Sequence, residues 1–188
     1  VVKRANRKTM LVRLYTFFKE NQGLFEEPKN TRENSRHADI YKLLKENGKL
    51  HWTWGKCFPI SLFLFYYYGG YNGPYKLMLK KNIKIVVHGH EVTTTHWFIQ
   101  HKETGEIVDI THEQFDGLID MKDVYKGSTL GAFGVPFMNV GGKRIKFENN
   151  VPTSMVLQLY GKWLKTNEPL EGLHKYYETM YGKPTKLF

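Results

Sequence analysis

Apolar residues recur at helical spacing in several segments of the chain. In the first segment, Met10, Leu14 and Phe18 fall on one face, as expected for an α-helix. The segment after Cys57 is apolar on almost every side, with Ser61 as its only small polar residue, which is typical of a central helix covered by other elements. The pattern predicts helices over residues 9–21, 35–47, 57–68, 153–165 and 169–181.

Between these helices the apolar pattern becomes typical of β-structure. It predicts strands over residues 75–79, 83–87, 93–101, 106–111 and 143–147. The connecting segments are predicted as a polar loop at 26–35, an extended lead-in at 50–54, turns at 80–82 and 102–105, a helical turn at 111–115 and irregular structure at 127–142. The sequence therefore predicts one α+β domain over residues 1–188, with a helical N-terminal extension at 9–47 and C-terminal helices at 153–182.

The composition is that of an ordinary globular domain, with 41% hydrophobic and 24% charged residues among 188. The single cysteine excludes an internal disulfide and favours a reducing compartment, so a cytoplasmic location is predicted. The longest apolar run, residues 58–68, is about half a bilayer span and is rich in tyrosine, which predicts no membrane partner. The basic residues 1–8 lack the apolar core of a signal peptide.

The formal charge of +10 gives the chain a general affinity for phosphate-rich partners. The basic residues are spread thinly over the sequence, and no recognisable nucleic-acid motif accompanies them. A basic, nucleic-acid-associated accessory protein in which Cys57 is only structural therefore stays open as an alternative.

The only cysteine, Cys57, follows Gly55 and precedes Pro59 at the start of the apolar helix. A small permissive residue and a proline in the first helical turn indicate a loop that enters a helix. The unpaired N–H groups and the dipole at a helix N-terminus favour a thiolate there. Free cysteine is also among the most buried residue types, so a structural thiol is the favoured interpretation of Cys57 considered alone.

A cysteine nucleophile needs an imidazole and usually a third group that orients it. His96 opens a predicted strand, and Asp109 lies among apolar residues of the return strand, where a solvated charge is not expected. A two-residue turn at 104–105 places Asp109 on the face of His96, and a four-residue loop at 102–105 does the same, with Asp109 opposite Phe98. A three-residue loop would place Asp109 on the other face.

Several short motifs around these residues resemble the papain-like, transglutaminase-like superfamily, and in particular a group of uncharacterised phage-encoded proteins. The motifs are Gly55-Lys56-Cys57, Thr95-His96-Trp97-Phe98, Glu106-Ile107-Val108-Asp109-Ile110-Thr111 and Glu113-Gln114-Phe115, and Phe133-Gly134-Val135-Pro136 and Pro152-Thr153-Ser154 also resemble that group. The resemblance covers residues 50–160. It implies a papain-like fold, in which a central helix bearing the cysteine packs on an antiparallel sheet, and a phage protein that acts in the host cytoplasm.

The resemblance also implies roles for individual residues. Cys57 matches the nucleophile, His96 the general base and acid, and Asp109 the orienting group of a catalytic triad. The reaction would be hydrolysis or acyl transfer at an amide-type bond of a protein, peptide or small molecule, through a thioester intermediate and without a cofactor. A binding or host-modulating protein whose triad does not turn over is the main alternative.

Residues near the triad are candidates for further roles. The Cys57 backbone N–H is the expected oxyanion donor, and Trp54, Trp52 and His51 are the candidates for a second donor. Gln114 either contacts substrate or caps the turn after Asp109. Five histidines lie between residues 88 and 112, but their spacings match no standard zinc pattern, so no metal site is predicted.

Overall fold

The computed structural model describes residues 2–25, 36–131 and 135–182. The α-helices of the described residues are α1 (Val2–Glu20), α2 (Arg36–Glu46), α3 (Cys57–Tyr67), α4 (Met121–Tyr125), α5 (Ser154–Trp163) and α6 (Glu171–Tyr181). The predicted helices are confirmed with shifts of one or two residues at their ends, except that α1 begins at Val2 and not at residue 9, and α4 is not predicted by the apolar pattern. The predicted polar loop at residues 26–35 lies outside the described residues.

The strands are β1 (Tyr75–Val87), β2 (His90–His101), β3 (Ile107–Val108), β4 (Thr129–Leu130), β5 (Val135–Val140) and β6 (Lys143–Val151). They form a four-stranded sheet in the order β3-β2-β1-β4 and a two-stranded antiparallel sheet of β5 and β6. Helices and sheets together make the fold α+β, as predicted. The predicted strand at residues 106–111 is shortened to Ile107–Val108, because the chain turns after Asp109 into a 3₁₀ helix at His112–Phe115, which confirms the predicted helical turn.

Strand β1 corrects the predicted turn at residues 80–82. The polar composition of these residues is typical of a turn, but β1 runs through them without a break over 13 residues. Within this strand Asn82 has a φ of 56°, a left-handed conformation that asparagine tolerates better than most residues. Because β1 is hydrogen-bonded to β2 on one side and to β4 on the other, sheet pairing overrides the local preference for a turn.

The stretch at residues 127–142 is likewise more regular than predicted. It contains β4 and β5, although residues 132–134 lie outside the described residues. The predicted strand at residues 143–147 is confirmed as β6 and continues to Val151. Pairing between β5 and β6 over a Gly141-Gly142 turn explains the difference, because glycine at these two positions marks a hairpin and not an unstructured loop.

The connection between β2 and β3 is the four-residue loop among the predicted alternatives. Ile99 pairs with Val108 and Gln100 with Ile107, so residues 102–105 lie outside the ladder. The imidazole Nδ1 of His101 accepts hydrogen bonds from the backbone N–H groups of the loop at 3.2 and 3.3 Å, which favours this loop length. An even number of loop residues keeps the residue after Val108 on the strand face of His96.

The described residues divide into two compact units, each with its own core. Unit 1 is drawn from Val1–Ile60, Leu79–Trp97 and Asp109–Thr129, and unit 2 from Ser61–Met78, Phe98–Val108 and Leu130–Phe188. The core of unit 1 joins apolar side chains of α2, the turn before α3, β1 and the segment after Asp109: Ile40, Leu44, Trp54, Ile83, Ile85, Val87, Phe115 and Val124.

Unit 2 is organised around the tyrosine-rich end of α3. Tyr66 is fully buried, packs edge-on against Tyr176 of α6 with ring centroids 5.8 Å apart, and donates a hydrogen bond to the carbonyl of Asn150 at 2.9 Å. A Cβ at Gly172 would meet the carbonyl oxygen of Tyr66, so only glycine permits this approach of α6 to α3. Among the described residues, no helix has the length and apolar character to cross a membrane.

Candidate active site

A tight turn, and not the predicted extended lead-in, brings the chain to Cys57. The Trp54 N–H donates to the His51 carbonyl at 3.0 Å, and the Lys56 N–H donates to the Thr53 carbonyl at 2.9 Å. Gly55 completes the turn with a φ of 74°. The alternation of apolar and polar residues at 50–54 resembles a strand, but the positive φ at Gly55 turns the chain and places Cys57 as the first residue of α3.

The His96 side chain joins the two other residues of the predicted triad. Its Nε2 lies 2.6 Å from Oδ2 of Asp109, and the ring is in hydrogen-bonding contact with the Cys57 thiol. The Phe115 ring packs edge-on against the imidazole, with ring centroids 5.0 Å apart. The three residues Cys57, His96 and Asp109 lie together within unit 1. Their setting is buried, since His96 is 0% and Cys57 7% exposed.

Asp109 is held by four hydrogen-bond donors. Besides His96, its Oδ2 accepts from the Tyr125 hydroxyl at 3.0 Å. Its Oδ1 accepts from the Thr111 N–H at 3.0 Å and from the Thr111 hydroxyl at 2.8 Å. Because both carboxylate oxygens are engaged and the side chain is only 2% exposed, Asp109 has a fixed orientation towards His96.

Burial and charge act in opposite directions on this pair. Burial by itself lowers the pKa of His96, but the Asp109 carboxylate and the contact with Cys57 outweigh burial and raise the pKa. Burial would raise the pKa of Asp109, but His96 and the two hydrogen bonds from Thr111 lower it. The arrangement therefore stabilises an ionised Asp109 and increases the affinity of His96 for a proton.

Gln114 lies in the 3₁₀ turn after Asp109 and is buried, with 3% of its surface exposed. Its side-chain amide nitrogen donates to the Thr111 carbonyl at 2.9 Å and lies 3.1 Å from Nδ1 of His96. Gln114 thus contacts the ring nitrogen of His96 that is not paired with Asp109. Both predicted roles for Gln114, a substrate contact and a cap of the turn, remain predictions, but the contact with His96 is a third relation that the sequence does not indicate.

The candidates for a second oxyanion donor have other partners. The Trp52 indole N–H donates to the Tyr15 hydroxyl at 3.1 Å, and Tyr15 in turn donates to the Glu113 carboxylate at 2.7 Å. His51 Nε2 lies 3.2 Å from the same carboxylate. Burial lowers the pKa of His51 and outweighs the opposing effect of Glu113.

Trp54, the remaining candidate, is a core residue. It is 7% exposed and packs against Phe115 with ring centroids 5.9 Å apart. The expected role of the Cys57 N–H at the start of α3 as an oxyanion donor stays a prediction.

Two residues that hold Asp109 are absent from the predicted site. Thr111 has a sequence indication, since an aspartate side chain commonly accepts a hydrogen bond from the backbone N–H two residues further on. Tyr125 has none, because it lies in the five-residue helix α4, which the apolar pattern does not predict. Burial and the neighbouring Asp109 carboxylate raise the pKa of Tyr125, which keeps it a hydrogen-bond donor.

The histidines between residues 88 and 112 do not form a common site. His88 lies in the two-residue turn between β1 and β2, and both His88 and His90 are exposed, whereas His96 is buried. Within residues 2–25, 36–131 and 135–182, no group of three histidine, cysteine, aspartate or glutamate side chains is arranged to hold a metal ion.

The His96–Asp109 pair should make stability depend on pH. The contribution of Asp109, whose pKa is lowered from 3.8, is present above that pH and is lost as the pH falls through the folded-state pKa. The contribution of His96, whose pKa is raised from 6.5, is complete below that pH and is lost as the pH rises through the folded-state pKa.

The expected result is a loss of unfolding free energy above pH 6.5 that is steeper in the wild type than in His96→Gln. Urea unfolding of both proteins at a series of pH values measures it. Groups such as His51 titrate in both proteins, so their effect disappears when one curve of unfolding free energy against pH is subtracted from the other. Parallel curves would contradict the stabilising role assigned to protonated His96.

No protein-family model, no curated protein and no solved structure matches this chain.

Proposed function

We propose that this protein is a cysteine hydrolase or acyl transferase that acts on an amide-type bond through Cys57, His96 and Asp109, on a papain-like fold. The observation that carries the proposal is the buried His96 ring, which contacts the Cys57 thiol and lies 2.6 Å from Oδ2 of Asp109. A papain-like fold is supported by the order of the elements, because the cysteine opens an apolar helix, the histidine follows on strand β2 and the aspartate comes directly after β3.

The first step is a proton transfer. Because Nε2 of His96 is paired with Asp109, Nδ1 is the nitrogen that accepts the proton of the Cys57 thiol. The S–H bond breaks, an N–H bond forms, and the electron pair stays on sulfur. The Asp109 carboxylate stabilises the imidazolium that results, while remaining ionised itself.

The thiolate then attacks the substrate carbonyl carbon and forms a tetrahedral oxyanion. The Cys57 N–H lies in the unpaired first turn of α3, where donors and the helix dipole favour a negative charge. When the intermediate collapses, the carbon–nitrogen bond breaks and His96 gives its Nδ1 proton to the leaving amine. A thioester on Cys57 remains.

The second half of the reaction removes the acyl group from Cys57. Water attacks the thioester with His96 as the base and releases a carboxylic acid, which makes the enzyme a hydrolase. A second amine that attacks in place of water makes it an acyl transferase. The same three side chains serve both reactions, so the choice depends on which acceptor reaches the thioester.

Alkylation of Cys57 by iodoacetamide tests the proposal. At about pH 6–7 the native protein should react about tenfold or more faster than the urea-unfolded protein, since the paired thiolate replaces a largely protonated thiol. The chain has one cysteine, so mass spectrometry of the intact protein reports this site alone. His96→Ala should remove the excess, whereas His90→Ala, which replaces an exposed histidine of the same strand, should retain it.

Equal rates for native and unfolded protein, or an excess that survives in His96→Ala, would exclude the proposed role of the triad. Circular dichroism spectra of the variants establish that they are folded.

The burial of Cys57 favours one alternative, a binding protein whose triad does not turn over, since only 7% of the residue is exposed. An activated ester such as p-nitrophenyl acetate separates the two. An enzyme should release p-nitrophenol over many turnovers through a transient acetyl group on Cys57. A silent triad should release at most one equivalent per chain.

A further inference from the structure

The side-chain amide of Gln114 has a defined orientation. Its terminal nitrogen lies 2.9 Å from the carbonyl oxygen of Thr111, which can only accept a hydrogen bond. Exchange of the amide nitrogen and oxygen would bring two acceptor oxygens together in a buried place. The nitrogen must therefore be the atom that faces Thr111.

This orientation has a consequence for His96. The same amide nitrogen lies 3.1 Å from Nδ1 of the imidazole, so an N–H group of Gln114 points at Nδ1. Such a donor stabilises Nδ1 only when that nitrogen carries a lone pair. When Nδ1 is protonated, two N–H groups face each other, and the contact becomes unfavourable.

Thr111 makes the arrangement rigid. Its N–H and hydroxyl bind Oδ1 of Asp109, while its carbonyl accepts from Gln114. Thr111 and Gln114 are 1% and 3% exposed. Asp109, which pairs with Nε2 of His96, and Gln114, which lies next to Nδ1, are therefore both hydrogen-bonded to Thr111. Gln114 cannot rotate without losing its bond to the Thr111 carbonyl.

We propose that Gln114 is a positioning residue that competes with the Cys57 thiol for the lone pair on Nδ1 of His96 and so limits how far the proton moves from sulfur to imidazole in the resting site. Asp109 acts in the opposite direction, because it stabilises the imidazolium. In the resting site the amide of Gln114 favours the neutral thiol and imidazole. The ion pair therefore forms to a smaller extent in the wild type than it would without the amide donor at Nδ1.

This inference rests on the proposed function, and its test uses variants that keep the triad intact. Gln114→Met keeps the length of the side chain and removes the donor, so the proton should move more readily to Nδ1. The alkylation rate of Cys57 near neutral pH should rise about 2- to 12-fold, the range that corresponds to the net contribution of one hydrogen bond. Gln114→Glu replaces the donor by an acceptor for Nδ1–H and should also raise the rate.

Gln100→Met is the matched control. The Gln100 amide also donates to a carbonyl oxygen, that of Gly105 at 3.0 Å, but this hydrogen bond is exposed to solvent and lies in unit 2. Its rate should equal that of the wild type. Unchanged rates in both Gln114 variants, together with a wild-type excess that depends on His96, would overturn the inference and leave the proposed function standing.

Nitrogen-15 spectra of the His96 ring supply a readout independent of Cys57 reactivity. In the wild type, neutral His96 should carry its proton on Nε2 and none on Nδ1. Gln114→Met should keep His96 protonated to a higher pH. A neutral wild-type ring with its proton on Nδ1, or identical titrations of the two proteins, would overturn the role of Gln114. If the spectra follow the expectation but Cys57 shows no excess reactivity, the proposed function fails and the contact between Gln114 and His96 stands.

Discussion

Replacement of Asp109 by alanine is expected to lower the free energy of unfolding by about 3–5 kcal/mol, the cost of removing one partner from a buried ion pair. The side chain is 2% exposed and accepts hydrogen bonds from His96, Tyr125 and twice from Thr111. Its removal leaves these donors buried without an acceptor, and each unpaired group adds to the cost. Urea unfolding followed by fluorescence measures the change.

The same substitution should also lower the reactivity of Cys57, because His96 loses the carboxylate that raises its pKa. Asp109→Asn keeps the shape but offers one acceptor oxygen in place of two, so its cost in stability should be smaller. Asp116→Ala removes an exposed carboxylate close in sequence and should change the unfolding free energy by less than about 0.5 kcal/mol. A cost for Asp109→Ala as small as that of Asp116→Ala would show that the four hydrogen bonds do not stabilise the fold.

Replacement of Phe115 by alanine is expected to cost about 3–5 kcal/mol, as for other buried phenylalanines. Phe115 is 1% exposed and packs edge-on against both His96 and Trp54. The cavity would remove apolar contacts from the core of unit 1 and one wall from the imidazole. Loss of stability and loss of Cys57 reactivity should therefore appear together, in urea unfolding and in the alkylation assay.

Phe115→Leu fills much of the cavity and should retain more of both properties than Phe115→Ala. Val86→Ala provides the baseline for an apolar residue of unit 1 that is 58% exposed, with an expected change within about 0.5 kcal/mol. If Phe115→Ala lowered stability but left the reactivity of Cys57 unchanged, the ring would have a role in the core and none in the orientation of His96.

Local apolar periodicity predicted most of the helices. The apolar segment after Cys57 has no polar face, and the structure buries most of it as α3. The prediction fails where pairing at long range overrides composition, as at residues 80–82, which look like a turn but lie within β1. It fails in the opposite direction at residues 50–54, where alternation is typical of a strand but Gly55 and backbone hydrogen bonds form a turn.

The residues of the candidate site also divide into those that the sequence indicates and those that only the structure shows. Cys57 at a helix start and His96 on a strand are visible in the sequence, and so is Asp109, although it lies directly after the return strand and not within it as predicted. Tyr125 is not visible, since it reaches Asp109 from a short helix 16 residues further along the chain. The contact of Gln114 with His96 spans 18 residues and depends on the orientation of one amide group.

The sequence by itself therefore determined an α+β chain with its only cysteine at the start of an apolar helix, and it limited the pairing of His96 and Asp109 to loops of even length. Only the tertiary structure decided which loop connects β2 and β3 and which groups surround the imidazole. The physical reason is that periodicity reports which face of an element is buried, whereas a hydrogen bond depends on distances of a few tenths of an ångström between residues far apart in the chain.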